Sequence, residues 1–399
     1  MSARTLDLLR PSDGEIAHRV TYVELFFDLV FVFAVTQLSH ILIEHQDPLA
    51  LLHTIMLAMV VWFAWVYTTW AMSWLNPERW PVSALLFAMM LLGMLIAVAI
   101  PDAFGEHALL FAIALTAFSL VRSVFAIMAF APSSRPHAMN FVRISCWHAA
   151  VGTLWIAGAL APAEIRLWVW IGAIVLEYIG PRAHFWTPGL SASDDATWNV
   201  SGAHMSERVS LFLIIVLGES IIDTGVSFAE GGVDVGRADA FLAAFVGTVL
   251  LFLLYFQRNQ RGGSDYISQA SDRGMIAQTA FTYIPVLLVF GVVASAVGDA
   301  LILADPGSGG WAAGLLCGGA ALYALGNAFF RRATGGPWLP LHLLGAAVLL
   351  LLFPLHFIVP LVALSWIVNA VLLAIVLGDI RSAGAAEAAA PASDPPVSA

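Results

Sequence analysis

The sequence predicts an all-α integral membrane protein with about 12 transmembrane helices, and three observations carry that reading. Hydrophobic residues form 60% of the 399 and charged residues 11%, with a mean hydropathy of +0.87, whereas soluble domains carry about 25% charged residues. Most apolar residues gather into runs of the roughly 20 residues that a spanning helix requires. Arginine placement then fits one orientation, because cytoplasmic loops retain basic residues. All 17 basic residues are arginine. With the N-terminus inside and twelve spans, the cytoplasmic side collects Arg4, Arg10, Arg19, Arg79, Arg135, Arg182, Arg258, Arg261, Arg273, Arg331, Arg332 and Arg381. Only Arg166 and Arg237 fall outside, while Arg122, Arg143 and Arg208 lie within spans.

Residues 1–21 form a polar lead without the apolar core and small-residue cleavage site of a signal peptide, which predicts an uncleaved cytoplasmic segment. Apolar runs follow near 22–43, 49–71, 80–100, 108–131, 141–160, 165–180, 206–228, 238–257, 276–298, 311–330, 338–354 and 356–380. Asn76-Pro77 ends the second, since a residue before proline is pushed out of the helical region. The sixth and eleventh are short, and Pro354 and Pro360 blur the last boundary, so eleven spans is the competing count. The layout predicts a first six-helix half over 22–180, a cytoplasmic linker over 181–205, a second half over 206–381 and a disordered cytoplasmic tail over 382–399. A shift of 186 residues places His18 on His204, Leu25-Phe26 on Leu211-Phe212 and Val30 on Val216, and His148 in run five has a counterpart in His342 of run eleven. An offset of six spans keeps orientation, so two parallel six-helix repeats of the kind transporters use is one arrangement.

The first run carries Glu24 and Asp28 one helical turn apart, on one helix face. A carboxylate in hydrocarbon is costly unless paired, protonated or wetted, so the pair predicts a polar site in the protein interior. Gln37 and His40 lie near the other end of the same helix. The seventh run places Glu207 and Arg208 at its cytoplasmic mouth and Glu219 about 18 Å deeper, at roughly 1.5 Å per residue, followed by Asp223 on the same face. Such acids are candidates for handling protons or cations. Arg122, Arg143 and Arg208 supply cations, and a guanidinium binds both oxygens of a carboxylate. The competing reading is a structural ion network that locks helices together. His148 and His342 are secondary candidates, and Glu177 is a weaker one.

The tryptophans Trp62, Trp65, Trp70, Trp74 and Trp80 read as an interfacial belt and helix packing. Cys146 and Cys317 lack disulfide or zinc spacing and read as small core residues. No metal or cofactor is expected, and no nucleic-acid partner. The sequence holds no GxxxxGK[ST], HExxH, GxSxG or TVGYG, which removes support for direct ATP drive, familiar hydrolytic chemistry and a potassium filter.

The blocks HRVTYVELFFDLVFVFAVTQLSH (18–40), WVYTTWAMSWLNPER (65–79) and HMSERVSLFLIIVLGESII (204–222) resemble the bacterial low temperature requirement A (LtrA) family. The resemblance implies a polytopic membrane protein in which Glu24, Asp28, Asn76, Glu207, Arg208 and Glu219 are motif positions. It assigns them no chemistry. Together these observations predict a secondary transporter or permease of the bacterial inner membrane, with the bilayer and a small molecule or ion as partners. The alternative is a membrane enzyme or lipid-handling factor for adaptation to cold, with its charge cluster at the cytoplasmic mouth. Substrate, coupling ion and oligomeric state are not encoded in any motif.

Overall fold

The computed structural model describes residues 8–11, 19–194, 197–198, 200–230, 234–257, 273–305 and 307–389. The rest of the lead, Arg258 and Arg261 with the segment around them, and the tail beyond Ala389 lie outside the described residues, as does the register of His18. Among the described residues twelve helices of 12 residues or more follow in order: α1 (Tyr22–Glu44), α2 (Pro48–Met72), α3 (Trp80–Ala99), α4 (Ala108–Phe130), α5 (Arg135–Leu160), α6 (Ala163–Arg182), α7 (Gly202–Glu230), α8 (Val235–Phe256), α9 (Pro285–Ala304), α10 (Gly310–Ala333), α11 (Pro340–Leu351) and α12 (Leu361–Ala389). Counting the short flanking turns of α3, α9 and α11, ten of them are long and apolar enough to cross a membrane. The other two, α5 and α6, have 26 and 20 residues, but arginines and glutamates dilute their apolar surface. The last helix runs through Ala389, past Ser382, where the Ala-, Pro- and Ser-rich composition predicted disorder.

Helix neighbours repeat six helices apart. In the first half α1 packs on α2 and α3, α3 on α4, α4 on α5, α5 on α6, and α2 on α4 and α6. In the second, α7 packs on α8 and α9, α9 on α10, α10 on α11, α11 on α12, and α8 on α10 and α12. The halves meet where α1 and α2 lie against α7 and α9. We call the face from which α1 and α7 start the proximal face.

Within the second half α9 and α10 approach almost to backbone contact. A Cβ on Gly319 would lie 2.5 Å from the Ser295 amide nitrogen, and one on Gly298 would lie 2.7 Å from the Leu316 nitrogen. Small residues permit this separation where apolar burial gives helices no net attraction in lipid. Gly319→Leu is therefore expected to force the two helices apart and lower the thermal midpoint by several degrees, in line with an overpacking cost of about 1–3 kcal/mol. A midpoint equal to wild type in detergent would refute the close contact.

The α2 tryptophans serve helix packing rather than a belt, which keeps one half of the sequence reading and corrects the other. Trp62, Trp65 and Trp70 are buried. Trp62 Nε1 donates to the Thr282 carbonyl at 2.6 Å and Trp70 Nε1 to the Thr282 hydroxyl at 2.9 Å. Thr282 sits in a π-helical turn, Thr279–Tyr283, just ahead of α9, where Pro285 interrupts the α-helical ladder. Exposed tryptophans occur elsewhere, at Trp80, Trp168, Trp186 and Trp338. Cys317 is buried but Cys146 is exposed on α5, so only one of the two is a core residue.

Candidate functional site

Helix α1 opens with Thr21, whose side chain caps the Glu24 amide while Glu24 reaches back to the Thr21 amide, a reciprocal capping box. This cap turns the Glu24 carboxylate toward the proximal face, where it is fully buried. Glu24 Oε2 accepts from the Thr21 amide, the Thr21 hydroxyl and Arg10 Nη2, each at 2.9 Å. Its Oε1 lies 2.8 Å from His204 Nε2, near the start of α7. A carboxylate only accepts, so His204 carries its proton on Nε2 for this bond. His204 Nδ1 then meets the Ser73 hydroxyl at 3.1 Å.

Arg10 reaches Glu24 because the lead is laced to the end of α2. The Arg10 amide donates to the Trp74 carbonyl at 2.8 Å, the Asn76 amide to the Leu8 carbonyl at 2.9 Å, and Arg10 Nε to the Met72 carbonyl at 2.7 Å. Arg10→Met is expected to lower stability by about 1–3 kcal/mol, since it leaves a buried carboxylate short of its charged donor. Thermal unfolding in detergent measures this, and an unchanged midpoint would show that the clasp contributes nothing.

One turn along α1, Asp28 is fully buried and held by a fork. Arg208 Nη1 donates to Oδ2 at 2.9 Å and Nη2 to Oδ1 at 2.7 Å, while Trp65 Nε1 donates to Oδ1 at 2.7 Å. The Arg208 guanidinium also lies over the Trp65 ring, 5.6 Å from its centre. The motif positions Glu24, Asp28 and Arg208 thus form two adjacent closed ion pairs that join the lead, α1, α2 and α7.

Beyond Asp28 the α1–α7 contact turns apolar through Phe31, Val35, Phe212, Leu213 and Val216, all buried. Polar groups return about 12 Å further along, at roughly 1.5 Å per residue, where the Thr36 hydroxyl bonds Glu219 Oε1. Glu219 is 8% exposed, and no arginine or histidine pairs with it among the described residues. Asp223, half-buried, stands within electrostatic reach of Glu219 and His40. Gln37 is half-buried and its side chain joins no hydrogen bond among the described residues, and His40 is exposed at the distal end.

A third cluster sits apart from α1. Arg122 on α4 is 2% exposed and makes no close ion pair among the described residues, Glu177 acting on it only through space. Its Nη1 donates to the Ala64 carbonyl at 3.1 Å and the Thr68 hydroxyl at 3.2 Å. Its guanidinium lies over the Tyr67 ring. His148 on α5 is buried, with Nδ1 2.9 Å from the Ser123 hydroxyl and Nε2 3.6 Å from Glu177 on α6. In the second half His342 on α11 meets Asp379 on α12 at 2.7 Å. Each half therefore places a histidine on its fifth helix against an acid on its sixth.

Two expectations need correction. Arg143 meets no acid among the described residues; it donates to the Leu190 and Ser191 carbonyls and to Asn140, clamping the loop after α6. In that loop the buried Phe185 takes a φ of 49°, unusual for a residue with a Cβ. Glu207 is exposed and pairs with neither Asp28 nor Arg208, because its neighbour on a helix points about 100° away. Arg10, His204 and Trp65 are the site residues that sequence reasoning passed over as partners. The capping pattern Thr21-x-x-Glu24 was the legible signal that Glu24 belongs to a helix start.

Fold and site together define a polytopic helical membrane protein with buried ion pairs at the proximal end of its central helix pair. The profile of the bacterial low temperature requirement A protein (LtrA) matches residues 19–377. The chain belongs to the LtrA family. It is also similar to an uncharacterized protein of Rhizobium meliloti (strain 1021), 36% identical over 348 residues, covering 86% of this chain and 84% of that protein. No solved structure matches the chain.

Proposed function

We propose that this LtrA-family protein is a secondary transporter or permease of the bacterial inner membrane, with cytoplasmic termini and a proton- or cation-handling carboxylate path on α1 and α7. One observation carries the reading: the two helices hold acids at both ends, and the distal acid, Glu219, has a hydroxyl partner but no paired cation among the described residues. A structural network neutralises its buried charges, as Asp28 and Glu24 are neutralised here. Glu219 is instead positioned to exchange a proton or cation with the distal side. The apolar collar around Phe31 and Phe212 separates it from the proximal pairs, as alternating access requires of an occluded state. The repeated neighbour pattern of the two six-helix halves supports rocking of one half against the other.

A lipid head-group site at the cytoplasmic mouth receives less support. Glu24 and Asp28 are fully buried with their oxygens engaged, and Glu207 stands apart from both. The test is proton movement into liposomes carrying the purified protein under an imposed pH gradient. Faster dissipation than in protein-free liposomes is expected, and equal rates under proton and sodium gradients alike would overturn the reading.

A further inference from the structure

The cluster around Arg122 lies off the α1–α7 path and has its own cavity. That cavity, about 30 Å³, is walled by the rings of Tyr67, Trp70, Trp74, Phe141, Phe185 and Trp198, and its polar lining includes Arg122, Ser123 and His148. Arg122 Nη2 and His148 Nε2 are both buried without a hydrogen-bond partner. Two unsatisfied nitrogens beside one aromatic-walled space are expensive to maintain unless something enters to meet them. A water needs about 10–15 Å³ of such volume, so the space takes an object of two or three heavy atoms.

We propose that this cavity is a binding site for a small monovalent oxyanion of formate size. The charge arrangement selects the sign. Among the described residues Arg122 donates hydrogen bonds only to neutral groups, Ala64 and Thr68, with Glu177 acting on it through space, and a planar anion with two oxygens matches its free guanidinium edge. The ring walls strip water from the ion and exclude larger acids. Apart from Arg122, the titratable groups lining the space are Tyr67 on α2 and His148 on α5, with Glu177 on α6 behind His148 and outside the lining, while Gln278 and Thr282 beside α9 are neutral. Glu177 stands 3.6 Å from His148 Nε2, so a charged Glu177 competes with the anion for the same donors. Proton uptake by the His148–Glu177 pair and anion binding therefore favour one another. This inference goes beyond the transport reading and stands without it.

The experiment titrates formate into the purified full chain in detergent, reading the thermal midpoint and tryptophan fluorescence, since Trp70, Trp74 and Trp198 line the space. Expected are a saturable response to formate, tightening at least threefold as pH falls from about 8 to about 6, a weaker one to acetate and none to benzoate. Arg122→Gln should weaken binding at least tenfold. His148→Gln should fold, weaken binding and flatten the pH dependence, and it decides the matter if Arg122→Gln does not fold. No saturable response in the wild type, or unaltered binding and pH dependence in His148→Gln, would overturn the proposal. The measurement uses no gradient, so its failure leaves the proton-flux result standing, and the reverse.

Discussion

Asp28→Ala protein is expected to be the most severely destabilised single variant, by about 3–5 kcal/mol, because it strands the Arg208 guanidinium in the interior. Arg208 is fully buried and donates both of its charge-assisted bonds to the one carboxylate. No other acid pairs with it among the described residues. The variant should aggregate on extraction, or unfold roughly 6–20 °C lower by thermal scanning. The informative control removes both charges: Asp28→Leu with Arg208→Met should recover much of the loss, since replacing a buried pair by apolar groups is often neutral. If Asp28→Ala alone were as stable as wild type, the guanidinium would have to be wetted, and the site would be an open mouth rather than a closed pair.

Glu219→Gln is expected to do the reverse, leaving the fold intact while reducing proton flux at least tenfold. The amide is nearly isosteric with the acid and still accepts from Thr36. Among the described residues no cation pairs with Glu219, so neutralising it strands no opposite charge there. The thermal midpoint should hold within a few degrees, against the collapse expected at Asp28. Flux equal to wild type in a folded Glu219→Gln protein would remove Glu219 from the path and return it to helix packing. Thr36→Val supplies a graded test, with a smaller loss expected, because it removes the only hydrogen-bond partner described for Glu219.

The contrast between these two acids was only half legible in the sequence. Both stood out as carboxylates inside apolar runs, and Arg208 stood out as a cation inside one. Nothing in the linear pattern distinguished an acid with a fork-bound arginine from an acid with a lone hydroxyl. Arg143 and Arg208 looked alike as counter-charges, yet one clamps a loop and the other closes the core. Arg10 lay in the polar lead, read only as cytoplasmic charge, and reaches Glu24 because the lead laces onto the end of α2. Trp65 was read as part of a membrane-interface belt and helix packing, although its indole N–H donates to Asp28.

The sequence by itself determined the helices and the acids and arginines that lie within them. Hydropathy and span length are sums over neighbouring residues, so twelve apolar runs sufficed to locate twelve helices, each overlapping its run. The tertiary structure alone decided the pairings. The bonds from His204 to Glu24 and from Arg208 to Asp28 each join residues 180 apart in the chain. Which charge meets which depends on the rotation and depth at which α7 packs against α1. Those are set by the close fit of many apolar side chains at once, and no local stretch of sequence encodes them.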